Sequence, residues 1–249
     1  MRAMILAAGK GTRLRPLTET IPKPLIDVAG RPMIAFALDV VRAAGIRDVV
    51  INLHHLGEQI RTCLGNGSAY GVRIVYTEED PILDTGGGIA NARALLDGDA
   101  FAVLNADTCI DVDLRAVVAA HERRRALATM VLRADANVAR YGAIEIDAAH
   151  RIRRFLGHPD PTLSAAEAAE LRALMYPGVM VFDPRVFAYL PPGIYSITRD
   201  VFPRLLDAGE PLFGYVHDGY WRVLDNPADL AAGRLEIAAR QHPPTTPES

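Results

Sequence analysis

Short apolar runs alternate with helix-patterned segments through the first half of the chain. That alternation restricts the fold more than any other feature. Met4 to Ala8, "DVVINL", "GVRIVYTEE" and "AFAVLNAD" read as strands. Between and after them, "RPMIAFALDVVRAAG", "GEQIRTCLG", "GIANARALL" (following a glycine run) and "DLRAVVAAHERRR" carry helical spacing, with Pro32 in the first turn of one and Gly45 at its end. The strands are apolar along their length, as strands buried on both faces are. The expected fold is therefore α/β: one domain with a central mixed, mostly parallel sheet flanked by helices. Ligands of such sheets bind at the carboxyl ends of the strands.

The second half is mixed. "ATMVLRA", "GAIEID", "RIRRFL" and "GVMVFD" read as strands, with a turn at Asp147–His150. "LSAAEAAELRALM" reads as a helix opened by a Ser164/Glu167 capping box. "SITRDVFPRLLDAG" and "NPADLAAGRLEIAARQ" read as helices, the latter with Asn226 as cap and Pro227 in the first turn. There is no repeat or linker, so residues 1–241 are expected to form one domain and 242–249, "HPPTTPES", a disordered tail. The net charge of -3 argues against a nucleic-acid partner, and no apolar stretch is long enough to cross a bilayer. The opening residues carry no leader-cleavage pattern, and two cysteines make no disulfide framework, so a cytoplasmic location is expected.

"ILAAGKGTRLRPLT", residues 5 to 18, leads out of the first strand. A dinucleotide loop needs a third glycine where Leu14 stands, and an ATP loop needs a Gly-Lys-Ser/Thr triplet that is absent. What remains is a glycine turn delivering Arg13 and Arg15. Glycine lets backbone amides approach a phosphate, and Arg13 suits phosphate oxygens, although a tight turn with solvated arginines fits the loop alone equally well. The next segment favours the phosphate reading: in "IPKPLIDVAGRPMI", Lys23 lies between two prolines on a stiff, extended mount.

"LAAGKGTRLRPLT" followed by "PKPLIDVAGRPMI" resembles the sugar-nucleotide pyrophosphorylases, the sugar-1-phosphate nucleotidyltransferases. The resemblance covers nearly the whole chain. "LDTGGGIANA", "VLNADT", "YGAIEID", "SITRDVFPRLL" and "GYWRVLDNPADL" are similar to further family segments. It implies a Rossmann-like nucleotidyltransferase fold and in-line attack of a sugar-phosphate oxygen on the α-phosphorus of a nucleoside triphosphate, releasing pyrophosphate. The nucleophile is already an anion, so positioning and electrostatics carry the reaction. By resemblance, Arg13 and Lys23 are the catalytic cations. Ala8, Gly9, Gly11, Thr12, Thr85, Gly86, Gly87 and Asn105 hold the nucleotide. Gly142, Arg154 and His158 are the candidates for the sugar phosphate. Asp107, at a strand's carboxyl end, is the expected ligand of Mg²⁺, which takes one or two carboxylates and completes its shell with phosphate and water oxygens.

Two departures stand out. Val223 occupies the family's second metal-carboxylate position, leaving Asp225 either to replace it or to cap the last helix. The family's sugar-phosphate lysine is matched by His158. These losses keep open an alternative, a nucleotide- or sugar-nucleotide-binding module with little or no catalysis. The preferred substrates are UTP with N-acetylmuramate 1-phosphate, then GTP with mannose or heptose 1-phosphate; oligomeric state is open. The remaining conspicuous residues are read as structural: adjacent His54 and His55 face opposite sides of an extended chain, "HERRR" at 121–125 ends a helix in solvent, and Cys109 and Trp221 pack in the interior.

Overall fold

The computed structural model describes residues 1–241; the expected tail, 242–249, lies outside them. Seven strands form the central sheet, in the order Leu212–Val216, Ala128–Leu132, Val179–Phe182, Phe101–Asn105, Arg2–Leu6, Asp48–Leu53, Arg73–Glu78. All run parallel except Val179–Phe182, which is antiparallel to both neighbours. The mixed, mostly parallel sheet follows from the apolar runs. In the first strand Met4 packs into one apolar layer, while Ala3 and Ile5 pack into the other. Phe101 and Val103 join the first layer, Ala102 and Leu104 the second. Both faces of the central strands are covered, so polar alternation is absent there; the edge strand Arg73–Glu78 is exposed at Arg73, Val75 and Glu78.

One face is covered by the helices Ile34–Ala43, Gly57–Leu64 and Leu114–Arg123, through residues such as Leu38, Ile60 and Val117. The other carries the helix Phe202–Asp207 and a four-stranded antiparallel sheet, ordered His158–Pro159, Ile152–Phe155, Ile144–Ile146, Arg172–Leu174. Phe155 of that sheet stacks on Phe202 at 4.6 Å between ring centres, both fully buried. A third, smaller cluster places Leu224, Leu230 and Ile237 against Leu14, Ile26 and Met33. It clasps the helix Pro227–Gln241 to the loop after the first strand.

The fold departs from the sequence reading in particular places. The glycine run lies inside the helix Asp84–Asn91, not before it. The glycines are there for close packing: a Cβ on Gly86 would fall 2.5 Å from the Tyr195 ring, and one on Gly87 2.1 Å from the Gly193 carbonyl oxygen. The Ser164/Glu167 capping box forms, but its helix stops at Ala169 and Arg172–Leu174 becomes a strand. Arg31–Pro32 pairs with Asp27–Val28, so the next helix starts at Ile34. The edge strand Leu212–Val216 has no counterpart in the sequence reading. His121 is buried against Thr129; the helix carrying it turns this residue inward.

Candidate functional site

The first strand ends at Leu6, and the chain turns through Ala7, Ala8 and Gly9 across the carboxyl edge of the sheet. Here a cleft of about 420 Å³ opens. Of the expected site residues, Ala8, Gly9, Lys23, Thr85, Asn105 and Asp107 line it. A Cβ on Gly9 would meet nothing within 4 Å, so this stretch of backbone faces open space. Gly11 serves a different end. Its φ is +60°, a Cβ would fall 2.9 Å from Thr18 Cγ2, and its carbonyl accepts from Thr18 Oγ1 at 2.8 Å. It shapes the turn Thr12–Leu14, which leaves Thr12 exposed.

Lys23 heads a single 3₁₀ turn, Lys23–Leu25, after extended Pro22; the mount is stiff, but it is not the extended segment its prolines suggest. Its ammonium donates to Asp107 Oδ2 at 2.6 Å and to Asp225 Oδ1 at 2.8 Å. Asp225 Oδ2 also meets Arg13 Nη2 at 2.6 Å. The Lys23 side chain is only 10% exposed, whereas Arg13 is 73% exposed. A buried ammonium is tolerable only with such partners. Four segments, around residues 13, 23, 107 and 225, thus deliver two cations and two carboxylates to one point beside the cleft.

Backbone pairing brings Asp225 there. Trp221–Val223 runs antiparallel to Thr108–Ile110, with Val223 opposite Thr108, and Leu224 N–H donates to the Asp107 carbonyl at 3.3 Å. Asp225 comes directly after. It does not cap the last helix: Asn226 does, its Oδ1 accepting from Asp229 N–H at 2.9 Å.

Two polar residues that sequence reasoning missed hold the cleft in shape. Buried Asn52 accepts from Ala7 N–H at 2.8 Å and donates to Glu79 Oε1 at 2.7 Å. Glu79, buried too, accepts from Leu83 N–H at 2.8 Å through Oε2. A Cβ on Gly88 would fall 2.6 Å from Glu79 Oε1, which explains that glycine. For Asn52 the signal lay in one polar side chain near the end of the otherwise apolar strand Asp48–Leu53. Thr85 Oγ1 accepts from Ile197 N–H at 2.9 Å, fixing the hydroxyl at the cleft wall.

Other expected residues stand apart from this cleft. Gly86 and Gly87 are buried behind Thr85, their N–H groups donating to the Tyr195 carbonyl. Gly142, at φ +88°, makes room for Leu156. Arg154 pairs with Glu145, and His158 Nε2 with Asp207 Oδ1 at 2.8 Å. Their charges are spent within the small sheet and its neighbouring helix. His54 and His55 bond separate carbonyls, those of Glu79 and Thr18. Cys109 is buried, and burial with the Asp107 charge pushes its thiol up to about 12, which leaves it inert packing. Trp221 is half-buried: it packs against the apolar layer on one face of the sheet, as expected, and its indole N–H donates to the Pro177 carbonyl at 3.1 Å.

Known proteins resemble the chain in sequence and in fold. The chain is 54% identical over 117 residues, 47% of its length, to N-acetylmuramate alpha-1-phosphate uridylyltransferase of Neisseria meningitidis, and covers 51% of that protein. It is 35% identical over 94% of its length to mannose-1-phosphate guanylyltransferase of Mycobacterium tuberculosis, covering 64% of that protein. The chain thus spans less than two thirds of either relative. The crystal structure of HddC from Yersinia pseudotuberculosis superposes with a TM-score of 0.78 at 21% identity, over 95% of this chain and 99% of that one, and so shares the fold. The nucleotidyl transferase family model matches residues 2–239, and the chain belongs to that family.

Proposed function

We propose that the protein is a sugar-1-phosphate nucleotidyltransferase: a nucleoside triphosphate and a sugar 1-phosphate give a nucleoside diphosphate sugar and pyrophosphate. The sugar-phosphate oxygen forms the new bond to the α-phosphorus as the bond to the pyrophosphate oxygen breaks. One observation carries the reading. Lys23 is buried between Asp107 and Asp225 at the carboxyl edge of the sheet, next to an open cleft. A reaction between two anions needs fixed cations aimed at the developing charge, and Lys23 and Arg13 supply them. The open backbone at Ala8 and Gly9 offers a nucleotide close approach, with Thr85 and Asn105 on the cleft wall.

Two carboxylates that share one ammonium form a hard, oxygen-only donor set, which fits Mg²⁺ completed by phosphate oxygens. Asp107 and Asp225 would hold the ion, Asp225 replacing the carboxylate missing at Val223, and the ion would neutralise phosphate charge. Lys23 and Arg13 orient both carboxylates. UTP with N-acetylmuramate 1-phosphate is the preferred pair, supported by the identity to the Neisseria relative.

The test is pyrophosphate release by the purified protein with Mg²⁺, each nucleoside triphosphate being run against a panel of sugar 1-phosphates. Release with UTP and N-acetylmuramate 1-phosphate is expected. Nucleotide binding without release from any pair would overturn the enzyme in favour of a binding module.

A further inference from the structure

Past Asp107, the carboxyl edge of the sheet continues into side chains that phosphate chemistry leaves unused. Arg133 comes after the strand Ala128–Leu132 and is bridged to Met175, so Tyr176 is the next residue of the facing chain. Pro177 and Gly178 then run alongside the cleft floor. The Gly178 carbonyl accepts from Asn105 N–H at 2.9 Å, and a Cβ there would fall 2.7 Å from Thr108 Oγ1. Trp221 is tied to the Pro177 carbonyl, Tyr141 meets its ring edge-on at 5.7 Å, and the Arg133 guanidinium lies 5.4 Å from the ring centre. All four of Arg133, Tyr141, Tyr176 and Trp221 are half-buried. They form a cationic and aromatic wall at the same sheet edge as Asp107, with Trp221 opposite Ile110 on the strand that leads to Asp225.

This wall has hydrogen-bonding capacity to spare. The Tyr176 hydroxyl and Arg133 Nε are enclosed and have no partner among the described residues. Among the described residues the Arg133 side chain makes one hydrogen bond, from Nη1 to the Gly219 carbonyl at 3.2 Å, and no carboxylate pairs with it. Asp111, which packs against the same Gly219, is engaged instead by His217 at 3.1 Å and Arg240 at 3.6 Å. Enclosed donors without acceptors are costly, and native proteins keep few of them. Burial and the Asp107 charge push the Tyr176 phenol upward, so it stays a protonated donor.

We propose that Arg133 and Tyr176 are the acceptor site for a negatively charged substituent of the sugar, so that the second substrate is a hexose 1-phosphate bearing a carboxylate besides its phosphate. This rests on the transferase reading. A guanidinium fork matches a carboxylate in geometry and charge, and the Tyr176 hydroxyl adds a donor from the facing chain. Trp221 and Tyr141 offer apolar surface for the carbons of the ring.

The test uses two substrates that differ only in a lactyl ether, N-acetylmuramate 1-phosphate and N-acetylglucosamine 1-phosphate. Their kcat/KM values are compared in the wild type, Arg133→Ala, Arg133→Lys and Tyr176→Phe. The wild type should prefer the acidic sugar. Arg133→Ala should lower that preference about tenfold or more, through KM, since charge-assisted hydrogen bonds are worth that much. Arg133→Lys should restore part of it, and Tyr176→Phe should cost about threefold. If Arg133→Ala does not fold, the lysine and phenylalanine variants still read the site. Turnover of both sugars without preference, or equal losses on both in the variants, overturns this inference and leaves the transferase standing. No pyrophosphate from any pair overturns both.

Discussion

Two regions of the molecule are rich in charge, and they use it in different ways. At the cleft, Arg13 and Lys23, Asp107, and Asp225 come from three distant stretches of the chain and meet beside an open volume. In the small antiparallel sheet, Arg153 is matched by Asp147, Asp160 and Glu167, Arg154 by Glu145, and His158 by Asp207. Most of those partners are near neighbours in sequence, and the pairs hold together a turn, a loop and a helix cap. Charge that converges from far along the chain on a strand-end cleft is placed there at the expense of desolvation, and a bound anion would use it. Charge paired locally is scaffolding.

The largest effect is expected from breaking the convergent set. Lys23→Ala should lower kcat about 10²- to 10³-fold, the scale of losing one preorganised donor to transition-state charge. Asp225→Asn should cost less, about tenfold to 100-fold, and its activity should need more Mg²⁺ for saturation. Steady-state pyrophosphate release at several Mg²⁺ concentrations measures both, with circular dichroism to show that the variants fold. Lys23→Ala with near-normal kcat would show that the two regions do not differ in kind.

The contrast also explains what could be read from sequence. The parallel core was legible because strands buried on both faces leave unbroken apolar runs. That the loop after the first strand borders the cleft was legible because Gly9, Arg13 and Lys23 lie close together in the chain. Asp107 and Asp225 were visible as carboxylates at element ends. Their meeting through Lys23 was not, because it depends on Val223 pairing with Thr108 across more than a hundred residues. Asn52 was hidden by being a single polar group in an apolar run, and Glu79 by standing in a row of acidic residues, Glu78-Glu79-Asp80, that reads as a solvated turn. The local partners of His158 and Arg154 could not be read because motif position says nothing of them: Asp207 and Glu145 meet these side chains. Leu212–Val216 was missed as a short edge strand containing Gly214, whose place is set by Leu132 across the sheet, 2.7 Å from where a Cβ would stand.

A second prediction concerns a charge the fold refuses to carry. His121 is buried against Thr129, and burial lowers its imidazole from 6.5 to about 4. Between those values the unfolded chain binds a proton that the folded chain does not, so stability falls as pH falls through this window and is fully present above about pH 6.5. The loss reaches about 3 kcal/mol at most. Urea denaturation at pH 7 and pH 4.5 measures it. His121→Gln, which keeps a polar partner for Thr129 but cannot titrate, should show a smaller drop over the same range. An equal drop would place the acid sensitivity elsewhere.

The smallest effect is expected where the family resemblance pointed to the sugar phosphate. His158 is 40% exposed and Asp207 54%, so their 2.8 Å contact is a surface contact, worth no more than about 1 kcal/mol. Replacing the imidazole with a permanent cation, His158→Lys, should therefore leave the sugar 1-phosphate KM within about twofold and stability within that same margin. Asp207 would take the new ammonium as it takes the imidazole. A sugar-phosphate KM that falls several-fold in His158→Lys would mean that the phosphate reaches the small sheet after all. The region assigned to scaffolding would then be half of the active site, and Arg154 the next residue to replace.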